Sequence, residues 1–131
     1  MTEQEAVKMA GLFGRSVQFY RDMTVKPLSY LGHALRYEYN LAGQPSTQAI
    51  RKAIYKEQNG LSAISGVPMA FTNREALALD RPQAHLDHIW TCNEAAIAVW
   101  NGSLSYEDAA RKLWNRANIR SITRQENNRD E

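Results

Sequence analysis

A helical hydrophobic period runs through the first 58 residues and stops at Asn59-Gly60, so a helical first half must be joined to something built differently. From Glu3 to about Arg21, Val7, Ala10, Leu12, Phe13, Val17 and Tyr20 keep a rough helical spacing, interrupted by Gly11 and Gly14. The Lys26-Pro27 step breaks the pattern, because the residue before a proline avoids helical geometry. Leu28 to Asn40 resumes it with Leu31, Leu35 and Tyr39, and Asn40 to Pro45 reads as a turn. Ser46 is placed to cap a third helix, Thr47 to about Gln58, with Ile50, Ala53 and Ile54 inward and Arg51, Lys52 and Lys56 outward.

Beyond Gly60 the segments are short and bounded by turn residues. Leu61–Gly66 and Pro68–Thr72 suit strands or extended loops, and Ala84 to Trp90 suits a strand. Asn93 to Trp100 reads as a helix stopped by Asn101-Gly102, and Ser105 caps another from Tyr106 to about Asn115. Ile119 to Thr123 is β-branched and short, and Arg124 to Asp130 reads as a last short helix. The expected class is α+β and mainly helical. One domain is expected over residues 1–131, with a helical part at 1–58 and a mixed part at 59–131.

Charge and cysteine usage narrow the chemistry. The single cysteine, Cys92, rules out an intramolecular disulfide and a structural zinc held by several thiolates, so any metal must take oxygen or imidazole ligands. A net charge of +2 argues little by itself. From Arg111 onward, however, Arg111, Lys112, Arg116, Arg120, Arg124 and Arg129 outnumber Glu126, Asp130 and Glu131, a local excess suited to phosphate or to a solvated helix face. Apolar runs are broken every few residues, and the acidic start Met1-Thr2-Glu3-Gln4-Glu5 lacks a secretory signal, so no membrane partner and a cytoplasmic location are expected.

Two strings carry the chemistry: Ala84-His85-Leu86-Asp87-His88-Ile89, and Asn118-Ile119-Arg120-Ser121-Ile122-Thr123-Arg124-Gln125-Glu126-Asn127. Together they resemble the HNH, or ββα-metal, endonucleases, in which an Asp-His-Ile/Val triplet on one strand is followed by an Asn-Leu-Arg-x-x-Thr-x-x-Glu-Asn string. Here Ile119 stands for Leu, and the closing residue is Asn, as in phage-type and homing enzymes. Upstream, Gln58-Asn59-Gly60-Leu61-Ser62-Ala63-Ile64-Ser65-Gly66 is similar to the family's Gln-x-Gly-x-Cys-x-x-x-Gly lead-in, with Ser62 in the cysteine position. The resemblance covers roughly residues 56–129. It departs from the family at Trp90-Thr91, where a proline is common, and in the long stretch between His88 and Asn118, which implies a helical insertion between the two strands.

The resemblance implies N-terminal helices packed on a ββα-metal motif that hydrolyses DNA, in a phage or mobile-element setting. It makes His88 the general base, since neutral imidazole takes a proton from water near physiological pH. Asp87 and Asn127 would hold Mg²⁺ or Mn²⁺, because a carboxylate and an amide oxygen suit a hard ion. Asn118 would orient His88 through its backbone or side chain. His85 is a further candidate, as a third ligand or phosphate contact, against an ordinary structural histidine. Arg120, Arg124 and Arg129 are candidate substrate contacts, against exposed arginines with no such role. The alternative function is a non-catalytic DNA-binding or interaction module on a decayed HNH scaffold.

Overall fold

A computed structural model describes residues 1–37 and 44–128. In chain order these form α1 (Glu3–Phe13), α2 (Val17–Arg21), α3 (Pro27–Tyr37), α4 (Thr47–Glu57), α5 (Asn73–Leu79), β1 (Ala84–His88), α6 (Cys92–Trp100), α7 (Tyr106–Leu113), a 3₁₀ turn at Arg116–Asn118, β2 (Ile119–Thr123) and α8 (Arg124–Asn128). The fold is α+β and mostly helical, with a two-stranded antiparallel sheet. Among the described residues, no helix is long and apolar enough to cross a membrane.

The described residues fall into two compact units, each discontinuous in sequence: residues 1–37 with 90–113, and residues 44–89 with 114–128. The contiguous division at 58 read from the sequence therefore differs from the packing. Helix α4 belongs with the strands, whereas α6 and α7, which the chain inserts between β1 and β2, belong with α1–α3.

The first unit is all-helical. The expected helix from Glu3 to Arg21 is two helices, because Gly14 adopts φ 70° and its N–H closes the last turn of α1 on the Ala10 carbonyl. Ser16 then caps α2, its hydroxyl accepting from the Phe19 N–H. Small residues let α3 and α6 pack closely: Ala34, Ala95 and Ala96 are buried beside Leu31, Leu35 and Val99. Phe13 sets its ring edge-on to both Tyr30 and Tyr106. Burial pushes the Tyr20 phenol up to about 12. Thr91 caps α6, one residue earlier than the sequence suggested.

The second unit carries the sheet. Strands β1 and β2 pair in the register Ala84↔Thr123, His85↔Ile122, Leu86↔Ser121, Asp87↔Arg120 and His88↔Ile119. Helix α8 follows β2 without a linker and packs on both strands. Ser46 caps α4 as expected. The segments after it are loops tied by isolated bridges, Leu61↔Pro68 and Ala70↔Gln83, rather than strands. Helix α5 was not foreseen. Thr72 caps it, accepting from the Glu75 N–H, but none of its residues is buried, so it lacks the inward stripe that betrays a helix.

The outer edge of β2 is closed by a side chain. The Gln58 carboxamide donates to the Ser121 carbonyl and accepts from the Ser121 N–H, both at 2.8 Å, standing in for a neighbouring strand. Sequence separation of this size is costly in loop entropy, so two matched hydrogen bonds on one backbone residue fix where α4 ends against the sheet.

Candidate functional site

Asp87 and His88 close β1, where alternation puts their side chains on opposite faces of the sheet. His88 shares its face with Leu86 and Ala84, and is 8% exposed. Its imidazole meets the Trp114 ring edge-on, with centroids 4.6 Å apart and planes at 85°. That contact confines the ring in orientation, and its Nε2 is closed to solvent. Trp114 follows α7 directly in sequence. Its place beside His88 is not legible in the sequence.

Asn118 lies beside His88 at the same end of the sheet. The Ile89 N–H, one residue past His88, donates to the Asn118 carbonyl at 2.8 Å. This bond extends the ladder by one step beyond the His88↔Ile119 pair and holds the backbone at the strand end. The bond acts on the backbone after His88 and does not itself reach the imidazole that Asn118 was expected to orient.

On the other face, Asp87 and Arg120 are cross-strand partners. Arg120 Nε donates to Asp87 Oδ2 at 2.9 Å, with side chains 33% and 21% exposed. Arg120, read from the sequence as a candidate substrate contact, is thus engaged by the carboxylate expected to hold the metal. His85 shares the Asp87 face by alternation and is half-buried. Asn127 is half-buried on α8. Arg124 opens α8 with an exposed side chain, its N–H bonded to the Gln83 carbonyl. Arg129 lies outside the described residues.

The Thr-x-x-Glu portion of the closing string has a local physical reason. Thr123 Oγ accepts from the Glu126 N–H at 3.1 Å, while the Glu126 carboxylate accepts from the Thr123 N–H at 2.9 Å. This reciprocal pair is a capping box, and it starts α8 immediately after the strand. The same carboxylate oxygen accepts from the Ser62 hydroxyl at 2.6 Å. Desolvation raises the Glu126 pKa, but bonds from Ser62, from the Thr123 backbone and side chain and from Ser65 outweigh it and hold the carboxyl at about 2. Ser62, in the lead-in, is 5% exposed. Gly60 takes φ 71°, and a Cβ there would stand 3.0 Å from the Tyr55 hydroxyl, so a left-handed turn and a tight approach both require glycine. The roles of Gln58, Gly60, Ser62 and Glu126 escaped the sequence reading, although each stands in a quoted string.

Comparison with protein-family models, with curated proteins and with solved structures finds no match for this chain. The site must therefore be read from its own chemistry.

Among the described residues, no three His, Cys, Asp or Glu side chains gather as metal ligands. The donors at hand are a half-buried carboxylate, Asp87, and a half-buried carboxamide, Asn127, the second on a helix packed against the strand that bears the first. Two hard oxygen donors fit a divalent ion that keeps most of its coordination for water and phosphate. An open depression of about 550 Å³ at the start of α8 is lined by Ser65, Asp80, Arg81, Thr123 and Glu126 among others. Neither Asp87 nor His88 lines it, so its size carries no weight for the chemistry.

Proposed function

We propose that this chain is a metal-dependent endonuclease of the HNH type that hydrolyses DNA phosphodiester bonds. The observation that carries the proposal is the placing of the lead-in against the closing string. Gln58 and Ser62 hold Ser121 and Glu126, and between them they frame a strand pair followed directly by a helix, with Asp87-His88 at one end. Residues from three distant stretches therefore serve one small substructure, which supports the motif resemblance.

In this reading His88 takes the proton from the attacking water, its ring steered by Trp114 and its strand end held by the Asn118 carbonyl. Asp87 and Asn127 would hold Mg²⁺ or Mn²⁺, which supplies Lewis-acid stabilisation of the phosphate and its leaving oxygen. Arg120 orients Asp87 through its Nε contact to Oδ2, and Arg124 is exposed at the start of the helix for a phosphate contact. Duplex DNA is the proposed partner.

The test is incubation of pure protein with supercoiled plasmid and Mg²⁺ or Mn²⁺, with and without EDTA, beside His88→Ala. Metal-dependent nicking that disappears in His88→Ala supports the assignment. Nicking that survives the substitution, or none with either ion, overturns it. One observation favours a second reading, a DNA-binding module on a decayed scaffold: Arg120 already neutralises Asp87. DNA binding without divalent-ion affinity would select that reading.

A further inference from the structure

Helix α4 carries three cations that the candidate chemistry leaves unused. Arg51, Lys52 and Lys56 span an arc of about 140° on a helix turning 100° per residue, and Lys52 and Lys56 are exposed. Among the described residues, no ion pair uses any of the three; the one acid of α4, Glu57, is engaged by Arg116. Lys52 and Lys56 are one turn apart, a like-charge pair that destabilises a helix. A fold gains nothing from that arrangement in isolation. An anionic ligand reverses its sign.

Arg51 is different from the two lysines because it is prepared. Its guanidinium stands 5.9 Å from the Phe71 ring centroid and donates to the Gln48 side chain at 3.3 Å. Both contacts restrict a side chain that would otherwise lose much rotamer freedom on meeting a ligand. Arg51 and Phe71 line a small depression together with Ala84, His85, Leu86 and Ser121. The depression thus borders β1 at His85, two residues before Asp87 and on the same sheet face. Arg51 on α4 and an imidazole on β1 meet at one narrow concavity beside the proposed site, with Lys52 and Lys56 outside its lining.

We infer that Arg51, with His85 beside it and Lys52 and Lys56 flanking, grips the sugar-phosphate backbone of duplex DNA and sets its path toward β1. The inference rests on the proposed nuclease reading for the identity of the ligand. It goes beyond that reading in assigning DNA positioning to α4, whose basic residues the sequence left simply as an outward face. A planar, always-charged guanidinium held over an aromatic ring suits bidentate contact to phosphate oxygens, while the two lysines act as point charges along the strand. Contacts of this kind position without selecting sequence.

The test separates binding from cleavage by working in EDTA. Binding of a short fluorescent duplex is followed by anisotropy across a salt series, for the full chain and for Arg51→Gln, Arg51→Lys, the Lys52→Gln/Lys56→Gln double variant and Arg111→Gln. Arg51→Gln is expected to weaken binding about ten-fold and to shrink the slope of log affinity against log salt by about one; the double lysine variant shrinks it by about two. Arg51→Lys recovers the slope but only part of the affinity, and Arg111→Gln, in the other unit, changes neither. A wild-type slope in Arg51→Gln overturns the inference, as does failure of the wild-type chain to bind duplex. If Arg51→Gln does not fold, the double lysine variant decides by the same slope. Loss of plasmid nicking with these binding results intact counts against the nuclease reading alone.

Discussion

Ser62 donates its hydroxyl to Glu126 across 64 residues of sequence, at 2.6 Å. The bond joins a loop residue with almost no solvent exposure to the third residue of a five-residue helix. A helix that short is unstable in isolation, so its persistence depends on its cap and on what holds that cap. Glu126 serves both purposes, since the oxygen that receives Ser62 also completes the capping box with Thr123. Asn127, the proposed metal ligand, is the next residue. Its position is therefore set by a hydrogen-bond pair that takes no part in the chemistry.

Acid should loosen this end of the molecule. Glu126 has its folded-state pKa lowered to about 2 from 4.5, so between those values the unfolded chain binds the proton and the folded chain does not. Its stabilisation is whole above about pH 4.5 and is lost as pH falls through about 2. After discounting for solvent screening, the contribution is about 1–2 kcal/mol. Urea unfolding at several pH values should show Glu126→Gln less stable than wild type at neutral pH and the two converging near pH 2. A constant difference across that range would show that the carboxylate charge is not what Ser62 and Thr123 hold.

Gly60→Ala should be more damaging than an exposed glycine change. A Cβ would meet the Tyr55 hydroxyl at 3.0 Å, and φ 71° is strained for any side chain. Tyr55 cannot easily yield, because its hydroxyl donates to the Met69 carbonyl at 2.9 Å. The cost is about 1–2 kcal/mol, lowering Tm by several degrees. Gly66→Ala shares the left-handed backbone, with φ 74°, but meets nothing within 4 Å, and isolates the steric part of the loss. Equal Tm shifts in the two variants would remove the role given to the Tyr55 approach.

Strands β1 and β2, α4, α6 and α7 were legible because each has a local signature: β-branched or alternating residues between turns, or a capping hydroxyl before an apolar period. Helix α5 was not, since Leu77 and Leu79 point outward, 77% and 55% exposed, and its only sign was Thr72 with Glu75 three residues on. The split of α1 from α2 turned on the conformation of Gly14, which a hydrophobic period cannot report. Within the site, the adjacency of Asp87 and His88 was visible in sequence. Pairing of Asp87 with Arg120 and of His88 with Trp114 was not, because both depend on strand register and on where the inserted helices return the chain.

His88 and Trp114 can be tested as a unit. His88→Ala should lower metal-dependent nicking by about 10²–10⁴-fold, the range for a lost general base, with the fold checked by circular dichroism. Trp114→Phe keeps an aromatic edge against the imidazole and should lose much less activity than Trp114→Ala, which also removes a side chain only 7% exposed and costs about 3–5 kcal/mol of stability. Should Trp114→Ala stay folded and retain full activity, the ring is not what orients His88.

Asp87 is held between two cations in the proposed chemistry, one of them already present in the fold. Arg120 reaches Oδ2 at 2.9 Å, and a metal ion at the same carboxylate must compete with that guanidinium or share the group with it. At an exposure of 21% for the carboxylate, the pair is worth about 1 kcal/mol or a little more, small beside the attraction of a divalent ion. Arg120→Gln should therefore tighten Mn²⁺ binding, read by quenching of its free paramagnetic signal, while Asp87→Asn abolishes it. The direction distinguishes the roles. If Arg120 serves only as a structural clamp on a site that never takes a metal, Arg120→Gln lowers stability and leaves Mn²⁺ unbound. If it is a placeholder that keeps the carboxylate aimed, its removal raises cation affinity and impairs nicking only to the extent that the guanidinium also steadies the phosphate.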